Sequence, residues 1–140
     1  IALSLSDSFC VERHREEFCD LINKYVDIIF ANETEIQSLY QSNLQESLEK
    51  IRVEVEFGAI TLGSKGSIVF QNKIQNLVPA ITINDLVDTT GAGDIFASGF
   101  LYGLTNKYSI EDCGMLGNKV ASDIIRYFGA RPKISLKSFI

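Results

Sequence analysis

The order in which apolar residues change their spacing constrains this chain more than anything else in it. Short continuous apolar runs alternate with stretches in which apolar residues recur every three or four positions. A continuous run of four to eight suits a strand covered on both faces, whereas the longer recurrence marks an amphipathic helix. Residues 1–5 read as a first buried strand, and Ser6-Asp7-Ser8 as a helix start. Val11, Phe18, Leu21, Ile22 and Tyr25 then fall at helical spacing, and residues 26–30 read as a second buried strand. Asn32 opens another helix, with Ile36, Leu39 and Tyr40 on one face, and Leu44, Leu48 and Ile51 continue the pattern in a further short one. Residues 57–62 are a third strand ending in a Gly63-Ser64-Lys65-Gly66 turn; residues 67–70 and 74–78 around Gln71-Asn72-Lys73 read as a hairpin. Residues 81–87 read as extended, a helix spans about residues 91–104, and a last helix carries Ile110, Cys113, Gly117, Ala121, Ile124 and Phe128.

Strands alternating with helices predict an α/β fold: a largely parallel β-sheet flanked by helices on both faces. The 140 residues suffice for one core. In such sheets ligands bind beyond the carboxyl ends of the strands. Three stretches fall there: residues 32–35, 61–66 and 88–94.

Composition narrows the partners. The net charge is −5 and no basic cluster is visible, which argues against nucleic acid. No apolar run approaches the ~18 residues that span a bilayer, so no membrane partner is expected. Cys10, Cys19 and Cys113 are odd in number and widely spaced, unlike a disulfide framework or zinc site, and read as reduced thiols of a cytoplasmic protein. His14, the single histidine, reads as a helix residue near the core face rather than a catalytic base. Because Ile1 already lies within a strand pattern, the chain is expected to be part of a longer protein.

Asp88-Thr89-Thr90-Gly91-Ala92-Gly93-Asp94 carries the chemistry. Without bulky side chains, backbone N–H groups can approach an anion closely, and a helix N-terminus adds partial positive charge. A carboxylate in the first turn, Asp94, can orient an attacking hydroxyl and accept its proton late. That suffices for phosphoryl transfer, in which positioning matters more than base strength. The bland alternative is a plain helix start, capped by Thr90 or Asp88.

Asp88 to Asp94 followed by Ile95-Phe96-Ala97-Ser98-Gly99-Phe100 resembles the second signature of the ribokinase-like (PfkB) carbohydrate and nucleoside kinases. The resemblance covers nearly the whole chain. It implies the C-terminal part of a ribokinase-like fold as a single portion over residues 1–140, with the N-terminal half and its β-sheet lid absent. It also implies ATP and Mg²⁺ as cofactors, a small-molecule substrate, Asp94 as catalytic base, and Gly91, Ala92 and Gly93 as an anion hole.

Asn32 and Glu35 have the spacing of a capping box, which by itself explains both. The resemblance implies that this Asn-x-x-Glu also organises water around Mg²⁺. Thr61, Gly63 and Gly66 read as a simple turn before a hairpin; in similar proteins such a stretch lines the nucleotide site. Asn118 is a polar residue beside an apolar stripe, and by resemblance it borders the adenine pocket. Asp88 and the segment around Gly129-Ala130-Arg131 resemble a monovalent-cation site, with K⁺ as the candidate ion. Gly99 and Gly103, one turn apart, serve close helix packing.

The segments Leu5 to Val11 with Arg13-His14-Arg15, Phe30-Ala31-Asn32-Glu33 and Gly129-Ala130-Arg131-Pro132 resemble bacterial adenosine kinases of that family. The implied reaction is phosphorylation of adenosine by ATP, giving AMP and ADP. A sugar kinase acting on ribose, fructose or a similar compound is the alternative within the family. A non-catalytic nucleotide-binding fragment is the alternative outside it.

Overall fold

The computed structural model describes residues 1–140, which divide into two compact units. The first comprises Ile1–Leu62 with Ile68–Asn76, and the second Gly63–Ser67 with Leu77–Ile140. In chain order the elements are β1 (Ala2–Ser4), α1 (Ser8–Arg13), α2 (Arg15–Tyr25), β2 (Ile28–Asn32), α3 (Glu33–Tyr40), α4 (Leu44–Glu54), β3 (Phe57–Thr61), β4 (Ser67–Gln71), β5 (Ile74–Val78), α5 (Ala92–Thr105) and α6 (Ile110–Ile124). Short 3₁₀ turns occupy Gly63–Lys65 and Leu136–Phe139.

The five strands form one sheet in the order β1-β2-β3-β4-β5. β1, β2 and β3 are parallel, as strands separated by helical crossovers must be. The connections into β4 and β5 are too short for a crossover, so these strands run antiparallel, and Asn72 N–H donates to Glu56 O beside the start of β3. The α/β architecture and the hairpin are therefore as expected.

In the first unit Leu5, Ile22, Ile29, Ile36, Leu39, Ile51, Ile60 and Phe70 form a contiguous buried core. Gly58 is obligatory there, because a Cβ on it would lie 2.2 Å from Phe70 Cζ and 2.7 Å from Ile29 Cγ2. Asp7 caps α1 by accepting from the N–H groups of Phe9 and Cys10. In the second unit α5 and α6 pack closely. A Cβ on Gly99 would meet Val120 at 2.7 Å, one on Gly103 would meet Cys113 Sγ at 2.9 Å, and one on Gly117 would strike the Phe96 ring at 2.8 Å.

Several expectations need correction. The first strand is shorter than residues 1–5 and little buried: Ile1 is 70% exposed, and only Leu5, beyond the strand end, is fully enclosed. The second strand begins at Ile28, because Val26 ends α2 instead. The helix expected from Val11 to Tyr25 is two helices broken at His14, whose ψ of 31° leaves the helical range. His14 is exposed, 3.6 Å from Glu17, and not near the core. Residues 81–87 join no strand, and Phe128 lies past the end of α6 with 82% of its surface exposed.

Candidate functional site

The first unit places two of the candidate stretches side by side. Asn32 and Thr61 end β2 and β3 and are register partners across the parallel pair. Thr61 Oγ1 donates to Ala31 O at 3.5 Å. Asn32 has the extended backbone of an N-cap and starts α3 with a complete capping box. Its Oδ1 accepts from Glu35 N–H at 2.8 Å, while Glu35 Oε2 accepts from Asn32 N–H at 2.9 Å and Oε1 from the Asn32 side-chain amide at 2.7 Å. Glu35 is only 7% exposed. Burial pushes its carboxyl above the usual range; the Asn32 N–H opposes this and the Asp7 charge adds to it.

An ionised carboxylate offers about four acceptor sites, and the box uses two of Glu35's. No group of three or more His, Cys, Asp or Glu residues is arranged to hold a metal ion directly. The box leaves acceptor capacity on Glu35 for ordered water, which is the way Mg²⁺ is commonly reached by a protein carboxylate.

In the second unit the glycine turn is built by backbone geometry. Gly63 and Gly66 have φ of +58° and +101°, and Gly66 N–H donates to Gly63 O at 3.1 Å. Gly66 can carry no side chain, since a Cβ would lie 2.0 Å from Val78 O and 2.6 Å from Ala80 N. Asn118, on α6, donates to Val78 O and Pro79 O at 3.1 Å each. The turn and Asn118 thus meet at the same stretch of main chain.

Asp88 is the hub of the glycine-rich run. Its Oδ1 accepts from Thr90 N–H at 2.9 Å and from the Thr90 hydroxyl at 2.7 Å, and its Oδ2 accepts from Gly129 N–H at 2.9 Å. The Gly129 N–H first, then the two Thr90 bonds, hold its carboxyl below the ordinary range. Neither Asp88 nor Thr90 caps α5. The N-cap is Gly91, left-handed at φ +77°, with no side-chain cap. Only glycine fits, because a Cβ would lie 2.7 Å from that of Ala130.

Ala92 N–H donates to Thr89 O at 3.1 Å, whereas the N–H groups of Gly91, Gly93 and Asp94 meet no protein acceptor. Space beside Gly93 is open, and Asp94 is exposed in the first turn of α5. Unpartnered amide donors at a helix start can hold an anionic group, and a carboxylate beside them can accept a proton.

The family model described as pfkB family carbohydrate kinase matches residues 2–136. The chain belongs to that family. Among solved structures, this pfkB chain is 47% identical to a probable sugar kinase from Rhizobium etli and 42% identical to the adenosine kinase from Sinorhizobium meliloti. Each match has a TM-score of 0.95 and covers 98% of this chain but 42% of the other. An uncharacterized sugar kinase from Archaeoglobus fulgidus is 39% identical over 111 residues, 79% of this chain and 44% of that protein. The chain thus spans less than half the length of these relatives. Its fold is ribokinase-like.

Sequence reading missed the main-chain acceptors at Val78 and Pro79 and the part played by Thr90. The Asp88-x-Thr90 spacing carried a signal for the latter, since Asp commonly binds the N–H two residues on. Nothing local pointed to the former.

Proposed function

We propose that this protein is the C-terminal portion of a kinase that transfers the terminal phosphoryl group of ATP to an alcohol oxygen of a small molecule, with adenosine as the favoured acceptor. One observation carries the reading: Asp94 is exposed in the same helical turn as the N–H groups of Gly91 and Gly93, which have no other acceptor. Asp94 takes the hydroxyl proton as the oxygen bonds to the terminal phosphorus and the bond to the departing ADP oxygen breaks. Gly91 and Gly93 donate to the transferring group. Ala92 adds no bulk and closes the turn through its own N–H onto Thr89 O. Mg²⁺ arriving with ATP would neutralise phosphate charge, and Asn32 and Glu35 are the residues to order its water. Thr61, Gly63 and Gly66 line the nucleotide, and Asp88 with Gly129 braces the run, by itself or around a monovalent cation.

Adenosine is favoured by the 42% identity to an adenosine kinase over 98% of the chain. A sugar acceptor is the second reading, favoured by the 47% identity to a probable sugar kinase. Three unpaired cysteines fit a reducing cytoplasm. The 140-residue chain alone, lacking the remaining length of its relatives, is expected to turn over slowly, because an open site admits water.

The test uses the full-length protein with Mg-ATP and adenosine, other nucleosides, ribose and fructose in parallel. Asp94→Asn should lower kcat on the preferred acceptor by about 10²–10⁴ while KM for ATP changes only a few-fold. Equal losses in turnover and nucleotide binding, or an unchanged kcat, would reject the role given to Asp94.

A further inference from the structure

Asn118 is bound in a way that separates two uses of an amide beside a nucleotide. Both of its partners, Val78 O and Pro79 O, are main-chain carbonyls, which can only accept. The side-chain nitrogen must therefore face them, and both of its N–H donors are engaged. The stretch it grips is the one against which Gly66 is seated, with no room for even a methyl group between them. Gly66 in turn closes the 3₁₀ turn by donating to Gly63 O. A continuous chain of contacts runs from α6 through Asn118, Val78 to Ala80, and Gly66 to the turn at Gly63–Lys65.

The geometry points to Asn118 as a positioning residue for the glycine turn, acting through the main chain at Val78 and Pro79 and not by reading the base of a nucleotide. This rests on the reading of residues 61–66 as part of a nucleotide site, and it adds which residue sets the shape of that turn. Asn118 Nδ2 holds two successive carbonyls, a part-buried one at Val78 and an exposed one at Pro79. The position of those carbonyls fixes where Gly66, and hence the turn, can lie. With its nitrogen facing Val78 O and Pro79 O, Asn118 cannot donate to the ring nitrogens of adenine and keeps only its oxygen.

Asn118→Leu removes both donors at similar size, and Asn118→Asp replaces them with an acceptor at nearly the same shape. The first readout needs no nucleotide: amide hydrogen exchange of Gly66 in the 140-residue chain, with Phe100 and Val120 in the packed helices as references. Both variants should speed Gly66 exchange about tenfold, the effect of losing two ordinary hydrogen bonds locally, while the reference amides keep their rates.

The second readout is the dissociation constant for Mg-ATP and for Mg-GTP. Both should weaken by the same factor, leaving their ratio as in the wild type. Unchanged Gly66 exchange overturns the proposal, and so does a collapse of the ATP-to-GTP ratio. Equal acceleration of Gly66 and the reference amides would show general destabilisation and would also overturn it. If the wild type binds neither nucleotide but Gly66 exchange rises as expected, the positioning role stands and the nucleotide reading fails.

Discussion

Two carboxylates, Glu35 and Asp88, each organise the start of a glycine- or asparagine-led turn, and they do so under opposite conditions. Glu35 is enclosed, makes its contacts within four residues of chain, and is pushed up by burial. Asp88 accepts from three donors, one of them 41 residues away, and is held down by those bonds. Both accept backbone N–H groups, so hydrogen bonding alone does not decide the direction. Desolvation does: it outweighs the bonds at Glu35 and is the smallest influence at Asp88. The capping box is thus built into the stability of its unit, whereas the Asp88 hub orders a surface run where ligands can reach it.

The sharpest way to break this contrast is Glu35→Ala. It leaves the Asn32 N–H and side-chain amide without their acceptors in a part-buried setting. A loss of about 1–2 kcal/mol is expected in urea unfolding from the two unmet donors, because Asn32 Oδ1 keeps its bond from the main-chain N–H of residue 35. Glu35→Gln, which keeps one acceptor, should lose much less. Equal losses in the two variants would mean that side-chain volume contributes little and that one amide oxygen cannot replace the two carboxylate oxygens that the box uses.

The contrast between the two carboxylates also tracks what could be read from the sequence. The capping box is local, so Asn32 and Glu35 were legible from a spacing of three. The links that shape the second unit were not, because Asp88–Gly129 and Asn118–Val78 join residues 41 and 40 apart. Family resemblance brought these residues to attention, but no spacing rule gives their bonds. Element type was legible wherever a period ran long, as in α4, α5 and α6. The errors fell where one apolar run serves two elements or none. Val26 ends α2 while extending the apolar run of β2, so periodicity merged them and placed the strand two residues early.

Residues 81–87 show the limit most clearly. Their apolar residues suggest an extended strand, but their bonds go elsewhere: Val87 and Asp88 N–H both donate to Ile125 O, and Arg126 pairs with Asp85 at 2.7 Å. Strand character needs a ladder partner, and a sequence does not name one. Phe128 similarly continues the α6 spacing, but the backbone has left the helix after Ile124 and Gly129 turns it at φ +93°.

A smaller effect, read as Tm against pH from 2.5 to 7, sharpens the comparison through its sign. The folded state holds the Glu35 proton more tightly than the unfolded chain does. Its contribution is therefore greatest below the ordinary value of 4.5 and falls as pH rises through the raised folded value. Asp88 acts oppositely: its contribution is complete above the ordinary 3.8 and is lost as pH falls through the lowered one. Subtracting the Glu35→Gln curve from the wild type should give a decline above about pH 4.5. Subtracting the Asp88→Asn curve should give a rise that is complete by about pH 4. Slopes of the same sign would contradict the assigned causes.

Asp88→Asn should have the smallest effect on the whole fold and the most local one. Asparagine keeps an oxygen for the Thr90 N–H and hydroxyl but presents an NH₂ where Oδ2 accepts from Gly129. Asp88 is half-buried and its bonds are to flanking loop main chain and Thr90, so little packing is lost and Tm should fall by no more than about 3 °C. Gly129 amide exchange should nevertheless accelerate strongly, because its single acceptor is gone, and Thr90 exchange should change far less. Ala130, which lies against Gly91, then has a looser neighbour, and turnover in the full-length protein should drop more than Tm suggests. A large Tm loss with an intact Gly129 amide would reverse the contrast, making the Asp88 hub the structural element.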